Sequence, residues 1–428
     1  MRIATFDTDA TPPVGSFLAY DPCTGKGELG LRARGLVLTG ADKPIVLCAV
    51  DWIGIASEGY DAFRQTLADA AETDVQHVAV HTLHQHDAPG CDFTAEKILK
   101  ECGVTPQRYD GTFARELLQR LGQGVREALA QSQPITHLGL GSAPVREVAS
   151  NRRIVGPDGK VGPMRGSSCK DAALRAEPEG LIDPDVSLVS FWNGDAPVAV
   201  LSYYATHPQS YYRTGIANPD FPGIARFLRQ LAAPKALHIH FDGAGGNVAA
   251  GKYNDGSPEN RLALAERLAD GMRRAWEATE RMPITKEDVR WSVLPVALPV
   301  AMHLEATQLQ AQIREAKSMG EAEDAARKLG WLQRCEAGYC IDVSCLALGR
   351  ARVLHLPAEL FIEYQLAAKA ARPDLFVTMA AYGDYAPGYI GTTVSYEQGG
   401  YETSPRSSNV APEVEGVLTE AIRELLAE

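Results

Sequence analysis

The stretch VHTLHQHDAPG, residues 80–90, carries His81, His84 and His86, three of the ten histidines in a chain of 428 residues. An apolar, β-branched run leads into it, so the peptide is expected to leave a sheet edge near His81 or Thr82. In extended backbone, residues two apart share one side. His84 and His86 therefore suit two imidazoles reaching one ion, or one ligand beside one proton carrier. A polar surface loop is the alternative that these residues alone leave open.

Five further stretches hold reactive side chains. LSYYATHPQSYY (201–212) brings an apolar strand to His207. NPDFPG puts Asp220 in a turn between prolines, where a bond from its side chain to nearby backbone accounts for it equally well. HIHFDGAGGNVAAGKYNDG (238–256) is a strand that breaks into a glycine loop, and Gly243, Gly245 and Gly246 would let the backbone approach a ligand closely. Neither GK[ST] nor GxGxxG accompanies it, which argues against a phosphate cradle. LHLPAELFIEY sets Glu359 just after a strand and a proline. Residues 382–404 then hold five tyrosines and five glycines, the composition of a pocket rim or of a loop packed by its own rings.

The elements that must position these groups read as strands at 35–39, 45–51, 75–82, 186–191, 197–207 and 236–241, with helices at about 58–73, 112–131 and 258–279. The last helix is expected to open on an N-cap Ser257 before Pro258 and to bury Leu262, Leu264, Leu268 and Met272. Strands interleaved with helices predict an α/β fold, with mixed β-sheets flanked by helices. Residues 150–180 lack any period and predict a long ordered loop that serves a site. Residues 305–334 predict a polar helical hairpin on the outside. With no internal repeat and no linker, the chain reads as one large catalytic domain, 1–428.

The net charge of −12 argues against nucleic acid or an anionic membrane surface as partner. No run is apolar enough for stable membrane insertion. Asp7 and Asp9 stand where a signal peptide needs its apolar centre, so a cytoplasmic location is expected. The eight cysteines are scattered without a CxxC, and CEAGYC (335–340) does not resemble a metal knuckle; reduced, mostly buried thiols are expected.

In order and spacing these motifs resemble the neutral (alkaline, non-lysosomal) ceramidase family, specifically its N-terminal zinc-hydrolase domain, over about residues 3–405. ATFDTDATPPVG and LRARGLVLTG look like its opening strands, HQHDAPG stands where it has His-Thr-His-Ser-Gly-Pro-Gly, and SNRR matches its Asn-Arg element. IDPDVSLVSFWNGDAPVAVLSYYATHPQS follows its longest block. NPDFPGIA, GAGGNVA, PAELF and YAPGYIGTTVSYEQGGYE take the places of its later turns and of its tyrosine loop. The family's C-terminal immunoglobulin-like domain has no counterpart in this reading.

The resemblance implies a Zn²⁺ site of His84, His207, Glu359 and Tyr389. It implies that His86 handles the proton of the attacking water, and that Arg152 and Tyr401 face the scissile carbonyl. Asp220 reads as a carboxylate that either supports the metal ligands from behind or orders its loop. Ala249 stands where the family carries a serine, and an alanine can neither attack nor donate, so an ester intermediate at this position is excluded. The expected activity is zinc-dependent hydrolysis of an amide or related acyl bond in a small-molecule substrate, with a polar substrate at least as well supported as a lipid one. Alternatives are an ester or sugar-derivative hydrolase with the same site, and a non-catalytic metal- or ligand-binding homologue. A homo-oligomer stays open.

Overall fold

The computed structural model describes residues 1–427. Three sheets follow one plan. In the first, Arg2–Asp9, Arg32–Thr39 and Ile45–Val50 are antiparallel in turn. The helix Ser57–Ala71 then crosses over, so that Val78–Thr82 lies parallel to Ile45–Val50. In the second, His137–Pro144, Asp185–Asn193 and Ala196–Tyr204 are antiparallel, and Leu237–Asp242 returns parallel after the helix Asp220–Ala232. In the third, Val289–Val296, Ile341–Leu348 and Ala351–His355 are followed by the helix Ile362–Ala371 and the parallel strand Phe376–Ala380. A parallel pair requires such a crossover, whereas antiparallel neighbours need only a turn. The expected α/β class with mixed sheets is present. The structural repetition leaves no repeat in the sequence, because the plan demands only apolar, β-branched runs, which many side chains satisfy.

One face of each sheet turns inward to a shared core. Leu36 and Leu47 from the first sheet, Phe191 and Leu201 from the second, and Leu346 and Val353 from the third belong to one buried cluster. Fully burying each such side chain contributes about 2 kcal/mol, so this cluster holds the sheets against one another. Helices cover the outer faces. Phe63 and Leu121 lie over the first sheet, Phe221 and Leu268 over the second, and Trp331 and Leu418 over the third. Covered on both faces, IVLCAV (45–50) is buried at every position, which is why it reads as an unbroken apolar run.

Three expectations are corrected. The helix Glu259–Glu277 buries Leu264, Leu268 and Met272, but Leu262 is 52% exposed, because it falls off the stripe set by 264, 268 and 272. Its N-cap is Pro258 and no side chain caps it, so Ser257 does not play that part. Residues 305–334 do form a hairpin, Ala306–Glu315 and Met319–Glu336, yet it buries Leu309, Ile313, Leu329 and Trp331 and supplies a wall of the central cavity. Its small Ala residues hid this apolar face from a reading by polarity. Among the described residues, no helix is long and apolar enough to cross a membrane.

Candidate functional site

The C-terminal ends of the three parallel edge pairs meet at one place, where Thr82 N donates to Tyr382 O and Ala381 N to Asp242 O, each at 2.9 Å. His84 lies two residues beyond its strand, His207 three and Glu359 four. Loops at the carboxyl ends of strands are where α/β sheets commonly present their sites. His84 and Ala358 hold left-handed backbone, with φ of 57° and 58°. Such strain persists only where the surroundings over-determine it, and here it turns two donors toward one point.

That point is Glu359 Oε2. His84 Nε2 is 3.3 Å from it and His207 Nε2 3.6 Å. No hydrogen bond reaches this oxygen although it is buried. The other oxygen, Oε1, accepts from Tyr385 Oη at 2.5 Å. Two ligands each about 2.1 Å from one tetrahedral ion stand about 3.4 Å apart, so the spacing fits donors sharing a metal. The outer nitrogens agree. His84 Nδ1 is 2.6 Å from Ile53 O and His207 Nδ1 3.3 Å from Gly245 O. Each ring thereby donates outward and keeps its Nε2 lone pair for the cavity. His86 brings a third imidazole: the ligand atoms of His84, His86 and His207 all lie within 4.8 Å of one another.

Burial, reinforced by His84 and Arg152, holds His86 and His207 well below the usual imidazole range, so both are neutral and free to ligate or to accept a proton. Burial alone would raise Glu359, but His84 and the hydroxyls of Tyr385 and Tyr389 outweigh it and hold the carboxyl below its ordinary value.

Tyr389 pairs in parallel register with Glu359, and its ring stacks on His207 with centroids 6.3 Å apart. Its hydroxyl accepts from Arg152 Nη1 at 3.2 Å. Arg152 is buried and its Nε lies 3.4 Å from Glu402 Oε1. Tyr401, 41% exposed, meets Tyr389 edge-on at 5.8 Å. All seven residues expected at the site therefore line one cavity of about 840 Å³. The loop 150–180 supplies Met164, Ser167 and Ser168 to its wall. It is held by buried Arg165, whose guanidinium donates to the carbonyls of Asn151, Leu174, Glu177, Pro178 and Glu179.

Sequence reasoning missed Tyr385, Tyr20 and Tyr212. Tyr385 bonds Glu359, and tyrosine density in 382–404 was its signal. Tyr20 stacks on His86 at 5.9 Å, and Tyr212 meets the same ring edge-on at 5.5 Å. Nothing in the sequence around Tyr20 points to it.

Other candidates stand outside the cavity. His81 is core, its Nδ1 2.7 Å from Ala381 O and its Nε2 3.0 Å from His355 Nδ1, and burial pushes it down to about 4. Asp220 accepts from Ser210 N at 3.1 Å and Phe221 N at 2.6 Å, so it orders the loop after His207. Ala249 is buried and pairs with Ser150, and its carbonyl accepts Ser150 Oγ at 2.8 Å.

The glycine loop is also corrected: its glycines do not line the cavity but pack against protein, a Cβ on Gly243 standing 2.4 Å from Gln365 Oε1 and one on Gly245 3.0 Å from Tyr382 Oη. A Cβ on Gly246 would stand 2.4 Å from Glu359 O. Gly246→Ala is accordingly expected to displace Glu359 and weaken metal binding by about 10–100-fold, read by competition with a chromogenic chelator.

No protein-family model and no curated protein sequence matches the chain. Solved structures do. A ceramidase complexed with C2 superposes with a TM-score of 0.72 at 16% identity, covering 99% of this chain and 74% of that one. Neutral ceramidase from Pseudomonas aeruginosa superposes with a TM-score of 0.71 at 15% identity, covering 99% and 73%. At the level of fold, the chain is ceramidase-like.

Proposed function

We propose that this protein is a metal-dependent hydrolase, with zinc favoured, that cleaves an amide or related acyl bond in a small polar molecule. The observation that carries the reading is the convergence of two imidazoles on a buried carboxylate oxygen that no hydrogen bond reaches, inside a cavity of a ceramidase-like fold. His84, His207, Glu359 and Tyr389 would hold the ion; two imidazoles with carboxylate and phenolate suit zinc. A divalent ion there supplies Lewis acidity and makes water acidic enough to attack near neutral pH.

The chain's own residues do the rest. His86 accepts the proton that the attacking water gives up and delivers it to the leaving amine. Arg152, fixed between Tyr389 and Glu402, and Tyr401 at the rim donate to the oxygen on which negative charge develops. No serine at position 249 is needed for this route. The three-histidine cluster favours a second reading, in which His86 is itself a ligand and the proton goes elsewhere.

The test is metal content of protein purified without added metal, followed by a screen of amides and esters. About one zinc per chain, with turnover abolished by a chelator and restored by zinc, is the expected result. A folded, metal-free protein that takes up no zinc would sink the reading.

A further inference from the structure

The cavity is cationic, although the chain carries a net charge of −12. Five arginines line it, Arg108, Arg152, Arg213, Arg327 and Arg406, against three carboxylates, Glu321, Asp324 and Glu359. Two of the five are already paired, Arg152 with Glu402 at 3.4 Å and Arg108 with Asp324 at 3.3 Å. Arg213 and Arg406 are different: both are exposed, and neither guanidinium forms an ion pair among the described residues, although the Asp87 carboxylate accepts from Arg213 N at 2.8 Å. Each instead lies over rings that lead to the histidines. Arg213 sits 5.0 Å from the Tyr20 centroid and 5.9 Å from that of Tyr212, and both rings contact His86. Arg406 sits 5.9 Å from the Tyr401 ring, which meets Tyr389 beside His207.

On the Arg406 side the one carboxylate that acts on Lys328, Asp324, is already shared with Arg108 and Arg327. Buried Arg327 is next to Lys328, whose amine is pushed down by burial and by Arg327 and Arg406. A guanidinium on a tyrosine face keeps its fork of donors free for a planar anion. The lining also lacks what a long acyl chain would need: it contains no leucine or valine, and Ile53 and Met164 are its only large aliphatic side chains. Cationic walls in a cleft concentrate anions and raise their encounter rate.

We infer that the molecule this site acts on is an anionic acyl compound, whose carboxylate or equivalent oxyanion is captured by Arg213 and Arg406 while its scissile bond lies at the histidines. This deepens the proposed hydrolase and rests on that reading for the cleavage step, though not for the binding. Arg213 and Arg406 set specificity; they act at the substrate's far end.

The test compares hippurate with hippuramide, which share the benzoyl amide and differ in charge, and with benzoylaminomethylphosphonate as the phosphonate counterpart. Benzoate release is measured for the zinc-loaded full chain, and binding by calorimetry. Hippurate is expected to exceed hippuramide in kcat/KM by about tenfold or more at low salt, a preference that shrinks as ionic strength rises. In Arg213→Ala, Arg406→Ala it should fall to about unity, and Arg213→Lys, Arg406→Lys should restore most of it. The phosphonate ranks above or below hippurate according to which oxyanion the pair prefers, and either order supports the inference if the double variant erases it.

Equal cleavage of hippurate and hippuramide, or a preference untouched by the alanine variant, overturns the inference and leaves the hydrolase standing. Charge-selective binding without benzoate release overturns the hydrolase for these amides and keeps the inference. Neither binding nor release of any probe overturns both.

Discussion

The double variant His84→Ala, Glu359→Ala is expected to carry almost no zinc, against about one ion per wild-type chain, and to have no measurable turnover. His86→Ala is expected to keep the ion and still lose about 10²–10⁴-fold in kcat. The contrast follows from what each group touches. His84 Nε2 and Glu359 Oε2 stand 3.3 Å apart, the oxygen with no hydrogen bond, so removing both dismantles the point on which His207 also converges. His86 is 4.7 Å centroid to centroid from His84 and meets it edge-on, and its Nδ1 has no partner. That places it to carry a proton. Zinc content by mass spectrometry and benzoate release on the same samples separate the two parts. If His86→Ala also empties the site, His86 is the third ligand and the proton carrier must be sought elsewhere.

Asp51→Ala is expected to destabilise the fold by about 3–5 kcal/mol, because it strands a buried guanidinium. Asp51 is fully buried just beyond the strand Ile45–Val50. It accepts from Arg226 Nη1 at 2.8 Å and Nη2 at 2.6 Å, and from Arg32 N at 2.9 Å. It also lies 3.5 Å from Gln85 Nε2, between the two site histidines, while Gln85 reaches Pro219 O beside Asp220. One carboxylate thus ties the histidine loop to the helix that follows His207. The variant should lower the urea midpoint and weaken zinc binding together. Asp51→Leu combined with Arg226→Met should recover much of the stability, since a buried pair replaced by apolar groups of similar volume is often neutral. A loss below about 1 kcal/mol in Asp51→Ala would show that water reaches Arg226 and that the pair is not sealed.

The α/β class was legible because strand and helix periods are local properties, and runs such as IVLCAV (45–50) announce burial on both faces. The candidate residues were legible one by one as well, since histidines after strands and a glutamate after a proline are local patterns. Their assembly was not. His84, His207 and Glu359 come from three different sheets, separated by more than a hundred residues each time, and no local spacing relates them. Only the order of motifs, through the resemblance to ceramidases, joined them before the fold did.

What the tertiary structure alone decided was direction and company. His81 and His84 belong to one peptide, yet the sheet turns the first into the core against His355 and the left-handed backbone turns the second toward Glu359. Gly243 packs against Gln365 and Gly246 against the Glu359 backbone, contacts between distant segments. The free arginines that make the cavity cationic come from turns at 213 and 406, and the chain's overall negative charge gave no hint of them. Sequence carried the residue types and the periods, which act locally. Convergence and charge placement depend on how three crossovers bring their strand ends to one end of a common core, and that is set by packing across the whole chain.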